Sequence, residues 1–289
     1  MNAISLTISA PIDEVAHTAL NDVSALAKQF GIDYVLIGAK ARDLILHHHY
    51  GAPVRRATAD IDFAIYVQGW EEFRRIHAAL LDRGYQQGRA PHELRSLNGC
   101  VVDIIPFGGV TDEDVNIGWP PEGVIEMSVM GFEEACHTAY RVHLTGQASF
   151  EVKVANLESQ ALLKLVAWTE RIPATRRRDA ADIAYLFQHY SRVDWDMGTL
   201  YEGKWAAILE ENGYDIILTA MQLLGERARL IAAPDTLAHV SALLNDSLPR
   251  LTLEDLATDM SLGIPESVDE CLHWLATFKR GLEGGRINL

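Results

Sequence analysis

Cysteine is scarce in this chain, and positive charge falls well short of negative. Cys100, Cys136 and Cys271 are its three cysteines, far apart and at no zinc-ligand spacing. The sequence therefore encodes neither a disulfide scaffold nor a zinc module, and the odd, dispersed set reads as reduced thiols. Lys and Arg number 25 against 40 Asp and Glu, a formal net charge of -15. That balance excludes a broad non-specific grip on nucleic acid, which needs clustered cations, and leaves room only for a local basic groove. No apolar run approaches the roughly 18 residues of a membrane span. The first residues carry Asp13 and Glu14 and lack the cationic start of a signal peptide. No internal repeat or low-complexity tract is present. The expectation is a cytoplasmic chain with no membrane partner.

The 289 residues are 48% hydrophobic, enough for one large or two modest domains. Val15, Ala19, Val23, Leu26, Ala27 and Phe30 recur at helical spacing and predict a helix over 12–30, closed by Gly31. Tyr34–Ile37 reads as a short strand broken by Gly38, followed by a helix from Lys40 to His49 and a loop holding Gly51 and Pro53. Asp60–Val67 alternates as a strand, 70–83 as a helix, and Cys100–Phe107 as a strand stopped by Pro106 and the two glycines after Phe107. The stretch from 110 to 130 is loop-like, and strands follow near Ala139–Leu144 and Phe150–Val154. From Leu157 onward the period is helical, with turns near Pro173, Asp194, Gly213, Pro234 and Gly263. The fold class is α+β, with an α/β domain over 1–155 and a helical domain over 156–289.

Asp60-Ile61-Asp62 is the sharpest chemical signal. Residues two apart on a strand share a face, so the two carboxylates stand together while Ile61 and Phe63 turn to the core. Carboxylates that close repel unless a proton or cation intervenes, and a hard dication such as Mg²⁺ or Mn²⁺ resolves this while also bridging phosphate oxygens. Asp103 lies in the apolar run Val101-Val102-Asp103-Ile104-Ile105, where an unpaired acid is expensive to bury. If its strand neighbours the first, Asp103 completes a three-acid cluster. The alternative is a solvated strand end and an edge residue. Upstream, Gly38 between a strand and a helix presents backbone N–H groups suited to phosphate, with Lys40, Arg42, Arg55 and Arg56 adding charge. A simple tight turn at Gly38 and an Arg42–Asp43 ion pair are the plainer readings.

Gly38-Ala39-Lys40-Ala41-Arg42-Asp43-Leu44, followed by Arg56, Thr58 and Asp60-Ile61-Asp62, resembles the AbiEii/AbiGii toxin family. This family, with its MenT-type enzymes, belongs to the DNA polymerase β-type nucleotidyltransferase superfamily. The resemblance spans about residues 30 to 190. It implies a nucleotidyltransferase-fold mixed sheet with flanking helices, followed by the helical domain. It further implies transfer of a nucleoside monophosphate from an NTP to an acceptor hydroxyl, with Asp60, Asp62 and Asp103 as metal ligands. The family places a lysine on the first helix after the α/β domain and an aspartate on the next, slots that Lys164 and Asp179 fill, with Asp182 the alternative acid. Asp60, Asp62, Asp103, Lys164 and Asp179 form the implied catalytic set. Gly38, Ala39, Lys40, Arg42, Arg56, Thr58 and Asp182 form the implied nucleotide-binding set. Ala39 departs from the family, which usually has Gly or Ser there. Lys164 snorkelling to solvent and Asp179 favouring a helix N-terminus are the plainer readings of those two.

The implied acceptor is RNA, particularly a tRNA 3′ end, or sometimes a protein; the implied role is that of the toxin of a toxin–antitoxin or phage-defence system, and the implied partner is an antitoxin protein. Arg171, Arg176, Arg177 and Arg178 could form a local RNA patch or a solvated charge run. The superfamily also includes antibiotic-type transferases acting on small molecules, which low basicity suits, and a catalytically weak nucleotide-binding protein on the same fold is the further alternative. His47-His48-His49 point in different directions on a helix and make a poor metal site. Trp119-Pro120-Pro121-Glu122 reads as a packed loop before an acceptor-side lid, and the stripe at Trp274, Leu275 and Phe278 as core or a dimer face.

Overall fold

Asp13 opens the first helix by accepting the Ala16 N–H at 3.0 Å, and Gly31 closes it in the left-handed region at φ 67°. The computed structural model describes residues 4–54, 60–120, 123, 126–145, 149–193 and 201–284. Helix α1 (Glu14–Phe30) buries Ala16, Ala19, Leu20, Val23, Leu26 and Ala27, the stripe its spacing predicts. Two compact units are formed, one within residues 1–49 and 56–156, the other within 50–55 and 157–289. No described helix is long and apolar enough to cross a membrane.

The first unit is a mixed sheet with helices, among them α3 (Trp70–Asp82) and α4 (Phe132–His137). Its strands are β1 (Ser5–Ile8), β2 (Asp33–Ile37), β3 (Asp60–Val67), β4 (Gln86–Gln87), β5 (Glu93–Arg95) and β6 (Val101–Gly108), then, beyond a hairpin of β7 (Asn116–Gly118) and β8 (Glu126–Ser128), β9 (Tyr140–Leu144) and β10 (Phe150–Val154). Their order across the sheet is β1-β9-β10-β2-β3-β6-β5-β4. β2 runs antiparallel to β3, β3 parallel to β6, and β6 antiparallel to β5. Ile61, Phe63, Ile65 and Val67 are fully buried on one face of β3.

Three local features differ from the sequence reading. The helix expected over Lys40–His49 starts at Gly38 as α2 (Gly38–Arg42) and widens into a π-helix over Asp43–His49. A π-helix turns less per residue, so the consecutive Leu44, Ile45 and Leu46 fall on a narrower arc and all three are fully buried. Pro106 does not stop β6, which continues to Gly108 beside β3. β5 covers β6 only from Val101 to Asp103, so at Pro106 no ladder partner on that side needs an N–H. The stretch from 110 to 130 contains the β7–β8 hairpin. Trp119 within it is 3% exposed against Trp70, Phe73 and His92, a packed loop; Pro121 and Glu122 lie outside the described residues.

The second unit is helical. Helices α5 (Leu157–Glu170) and α6 (Pro173–His189) are followed by a 3-10 turn (Tyr190–Arg192). Beyond them come α7 (Gly203–Glu211), α8 (Ile216–Ile231), α9 (Pro234–Leu244), α10 (Leu253–Ser261) and α11 (Val268–Leu282). Pro173 and Pro234 occupy first-turn positions, where a missing N–H costs nothing. Capping boxes Thr252/Asp255 and Ser267/Glu270 start α10 and α11. Helices α8 and α11 cross closely: a Cβ on Gly225 would meet the Phe278 carbonyl oxygen at 2.1 Å, and one on Gly281 the Gln222 carbonyl oxygen at 1.9 Å. Leu275 and Phe278 are fully buried core, while Trp274 is only partly buried.

Candidate active site

Strand register decides the geometry of the first unit. Asp62 on β3 is the direct neighbour of Asp103 on β6, and Asp103 that of Glu93 on β5. Paired residues on neighbouring strands share a face, so Glu93, Asp103 and Asp62 form one row of acids. Arg95, Val101 and Asp60 form the next row on the same face. Glu93 is a charged neighbour that the sequence reading does not contain; its short, polar strand gives no alternation to read. Its Oε1 accepts from Arg95 Nε at 2.9 Å and pairs with Nη2 at 2.7 Å, which lowers its pKa.

β2 ends at Ile37, opposite Asp62, and the chain turns at Gly38 with φ 71°. A Cβ at Gly38 would lie 2.1 Å from Asp62 Oδ2. The position therefore demands glycine twice, for its backbone conformation and for its approach to the carboxylate. Ala39 is buried and Lys40 half-buried on the helix that starts here.

Asp103 carries the electrostatic strain of this face. Its Oδ1 is buried without a hydrogen-bond partner. Burial first, then the charges of Asp62, Asp60 and Glu93, push its pKa up to about 7, with Arg95 opposing. Cys100 nearby is a buried thiol whose pKa is also raised, by burial before anything else.

Arg42 is placed otherwise than a solvent-facing phosphate ligand would be. It is 1% exposed, and its Nε and Nη2 both donate to Asp43 Oδ1, at 3.0 and 2.6 Å. The plainer reading, an ion pair with Asp43, is what the structure contains. Arg56 and Thr58 lie outside the described residues. His47 and His48 pack edge to face, and His49 Nδ1 lies 3.2 Å from the Thr7 carbonyl oxygen.

In the helical unit, Lys164 Nζ sits 2.9 Å from Asp179 Oδ1 and 2.9 Å from Asp182 Oδ2. Arg171 Nη1 binds the other Asp179 oxygen at 2.9 Å. Asp179 and Asp182 are buried, so both acids proposed for one slot serve the same ammonium. Burial pulls the Lys164 pKa down, but Asp182 and Asp179 outweigh it and the net shift is upward. Two cations face two anions here, a balanced network. Arg176 Nε binds Asp259 at 2.8 Å with its guanidinium over Trp168, and Arg177 lies 3.5 Å from the same carboxylate. Of the four arginines read as a local basic cluster, three are thus tied to acids of their own unit.

A family model described as "Nucleotidyl transferase AbiEii toxin, Type IV TA system" matches residues 23–273. The chain belongs to this AbiEii family. It is accordingly a nucleotidyltransferase, and the family places it among toxins of toxin–antitoxin systems. No curated protein matches this AbiEii chain by sequence. Among solved structures it is similar to an antigenic nucleotidyltransferase-like protein from Paracoccidioides brasiliensis, at 19% identity over 81% of this chain and 95% of that one, with a TM-score of 0.38. It is also similar to the antibiotic-resistance factor ANT(2'')-Ia, at 12% identity over 71% of this chain and 100% of that one, TM-score 0.36. The Thermotoga maritima CCA-adding enzyme, solved with tRNA, shares 13% identity over 94% of this chain and 82% of that one, TM-score 0.26.

The donor set of this AbiEii chain suits a hard dication. Asp60, Asp62 and Asp103 offer only oxygen, share one face, and repel one another enough to raise a pKa. Among the described residues, no group of three or more His, Cys, Asp or Glu side chains is gathered closely enough to hold a metal ion by itself. Mg²⁺ needs none, since it keeps several waters and is completed by substrate phosphates.

Proposed function

We propose that this AbiEii-family chain transfers a nucleoside monophosphate from an NTP to an acceptor hydroxyl of RNA, such as a tRNA 3′ end, as a cytoplasmic toxin restrained by an antitoxin protein. The observation that carries this reading is the row formed by Asp62 and Asp103, with the Gly38 turn closed onto Asp62. Asp60 and Asp62 would hold Mg²⁺ (or Mn²⁺), with Asp103 as the third ligand. When bound, the dication neutralises charge on the triphosphate and lowers the pKa of the attacking hydroxyl.

The residues of the chain do the remaining work. The backbone at Gly38 and Ala39 lets phosphate oxygens approach closely, and Lys40 adds a positive charge there. Asp103 takes the proton of the acceptor hydroxyl. The hydroxyl oxygen forms its bond to the α-phosphorus as the bond to the pyrophosphate oxygen breaks, and pyrophosphate leaves. Arg42, buried and paired with Asp43, is assigned no phosphate in this reading.

The test is incubation with each labelled NTP, Mg²⁺ and total RNA, with Asp60→Ala as control. The reading expects labelled RNA and released pyrophosphate from the wild-type chain alone. Label transfer undiminished in Asp60→Ala would remove the mechanism.

A second reading places a small-molecule hydroxyl in the acceptor position. The net charge of -15 and the intramolecular pairing of Arg171, Arg176 and Arg177 favour it, since both reduce the cations available to an RNA backbone. An aminoglycoside arm in the same assay separates the two.

A further inference from the structure

The helical unit contains a cavity of roughly 630 Å³, whose lining includes Pro53, Gln188, Arg192, Ile217, Glu266 and Trp274. Its size falls within the range of small-molecule sites. Several walls are fixed by hydrogen bonds. The Tyr185 hydroxyl donates to the Pro53 carbonyl oxygen at 2.9 Å, and Gln188 Nε2 donates to Glu266 Oε1 at 3.0 Å. The second Glu266 oxygen, Oε2, is buried and has no hydrogen-bond partner. An unsatisfied buried carboxylate oxygen is costly, and a ligand N–H supplies what it lacks.

The rest of the lining narrows the ligand. Trp274 and Ile217 offer apolar surface for a flat ring. Arg192 is exposed at the rim and supplies a cation for an anionic group. His189 has its pKa lowered, first by burial and then by Arg192, and so adds no second cation at neutral pH. A flat ring with an amino group at one edge and an anion at the other matches this arrangement. We propose that this cavity binds a nucleotide whose base carries an exocyclic amino group, the amino N–H donating to Glu266 Oε2, the ring resting on Trp274 and the phosphate reaching Arg192. A free nucleotide and the terminal nucleotide of an RNA present the same chemistry.

The proposal is independent of the transfer reaction, and its test keeps the two apart. Binding is measured by calorimetry on the full chain carrying Asp60→Ala, in EDTA, so that a metal–triphosphate complex contributes nothing. The ligands are CMP, UMP and two short single-stranded RNAs differing only in a 3′-terminal C or U. Cytosine and uracil differ where it matters, an amino donor against a carbonyl acceptor. CMP or the C-ended RNA is expected to bind about tenfold more tightly than its U counterpart. Binding of CMP identifies a free nucleotide as sufficient; binding of the C-ended RNA alone identifies an RNA end.

Two added substitutions locate the site. Trp274→Ala should weaken binding about tenfold, with its fold checked by circular dichroism. Glu266→Gln is the conservative second variant. With Gln188 still donating to Oε1, the new amide presents N–H in place of Oε2, and preference should turn toward uracil. Equal binding of C and U ligands, no binding of either, or a C preference surviving Glu266→Gln would each overturn the proposal.

Discussion

Asp62 and Asp103 are register partners on adjacent parallel strands, and their carboxylates stand on the same face of the sheet. Neighbouring strands are about 4.8 Å apart, so two ionised groups placed this way repel strongly. The fold tolerates the arrangement by raising the proton affinity of Asp103, and the residues that suit the site for a dication make it unfavourable without one.

Without divalent metal, this has a pH signature. The folded-state pKa of Asp103 is raised to about 7, above its ordinary carboxylate value, so the folded state binds its proton more tightly than the unfolded state does. The group therefore costs stability as pH rises from about 4 through 7, and the full cost is present above 7. Discounted for partial exposure, that cost is about 1–2 kcal/mol. Asp103→Asn should raise the metal-free melting temperature at pH 8 and change it little at pH 4, while abolishing transfer. Thermal melts at the two pH values, with and without Mg²⁺, check this. A variant less stable than wild type at pH 8 would contradict the repulsion.

Gly38→Ala places a methyl where Asp62 Oδ2 lies, in a backbone conformation that L residues rarely adopt. Conformational strain of about 1–3 kcal/mol is expected. Displacement of Asp62 by even an ångström should lower kcat by about 10²-fold. Chemical denaturation and single-turnover kinetics measure the two effects separately, and an unchanged kcat would show that the turn does not set the position of Asp62.

Asp60 is exposed at the start of β3, so Asp60→Ala should leave the melting temperature nearly unchanged. On the proposed mechanism, loss of this carboxylate should lower transfer by roughly 10³-fold or more. A parallel titration with Mg²⁺ should show weakened binding. Collapse of the fold together with activity would make Asp60 a structural residue.

The parts of this architecture that a sequence exposes are those set by local pattern. The alternation from Asp60 to Val67 marks β3 because one of its faces is wholly buried, and Gly31 marks the end of α1 because the cap needs positive φ. The juxtaposition of Asp62 with Asp103 depends on pairing between strands about forty residues apart, which local pattern cannot supply. β4 and β5, with sequences QQ and ELR, are too short and polar to alternate, so no local pattern singles out Glu93. The family resemblance marks Lys164 and offers Asp179 or Asp182 for one slot, but that both acids bind the lysine follows from the packing of α5 against α6. The burial of Arg42 has the same origin, since only the tertiary fold shows which side of a short helix is covered.

Lys164→Met removes the ammonium shared by Asp179 and Asp182 and leaves two buried carboxylates with Arg171 as the cation identified beside them, on the Asp179 side alone. Breaking a buried ion pair from one side costs about 3–5 kcal/mol, most of it the penalty of the charge left behind. In the wild type, Lys164 has a raised pKa and stays charged through neutral pH, so its contribution is constant between pH 5 and 9. In the variant, burial without a cation raises the carboxylate pKa values, and their protonation relieves the penalty as pH falls. The deficit relative to wild type should therefore be largest near pH 8 and shrink toward pH 5. Urea denaturation at both pH values measures it. Lys164→Met combined with Asp182→Asn should recover part of the lost stability at pH 8, because one uncompensated charge is gone. A deficit independent of pH, with no recovery in the double variant, would mean that Lys164 contributes through packing of its methylenes and not through its charge.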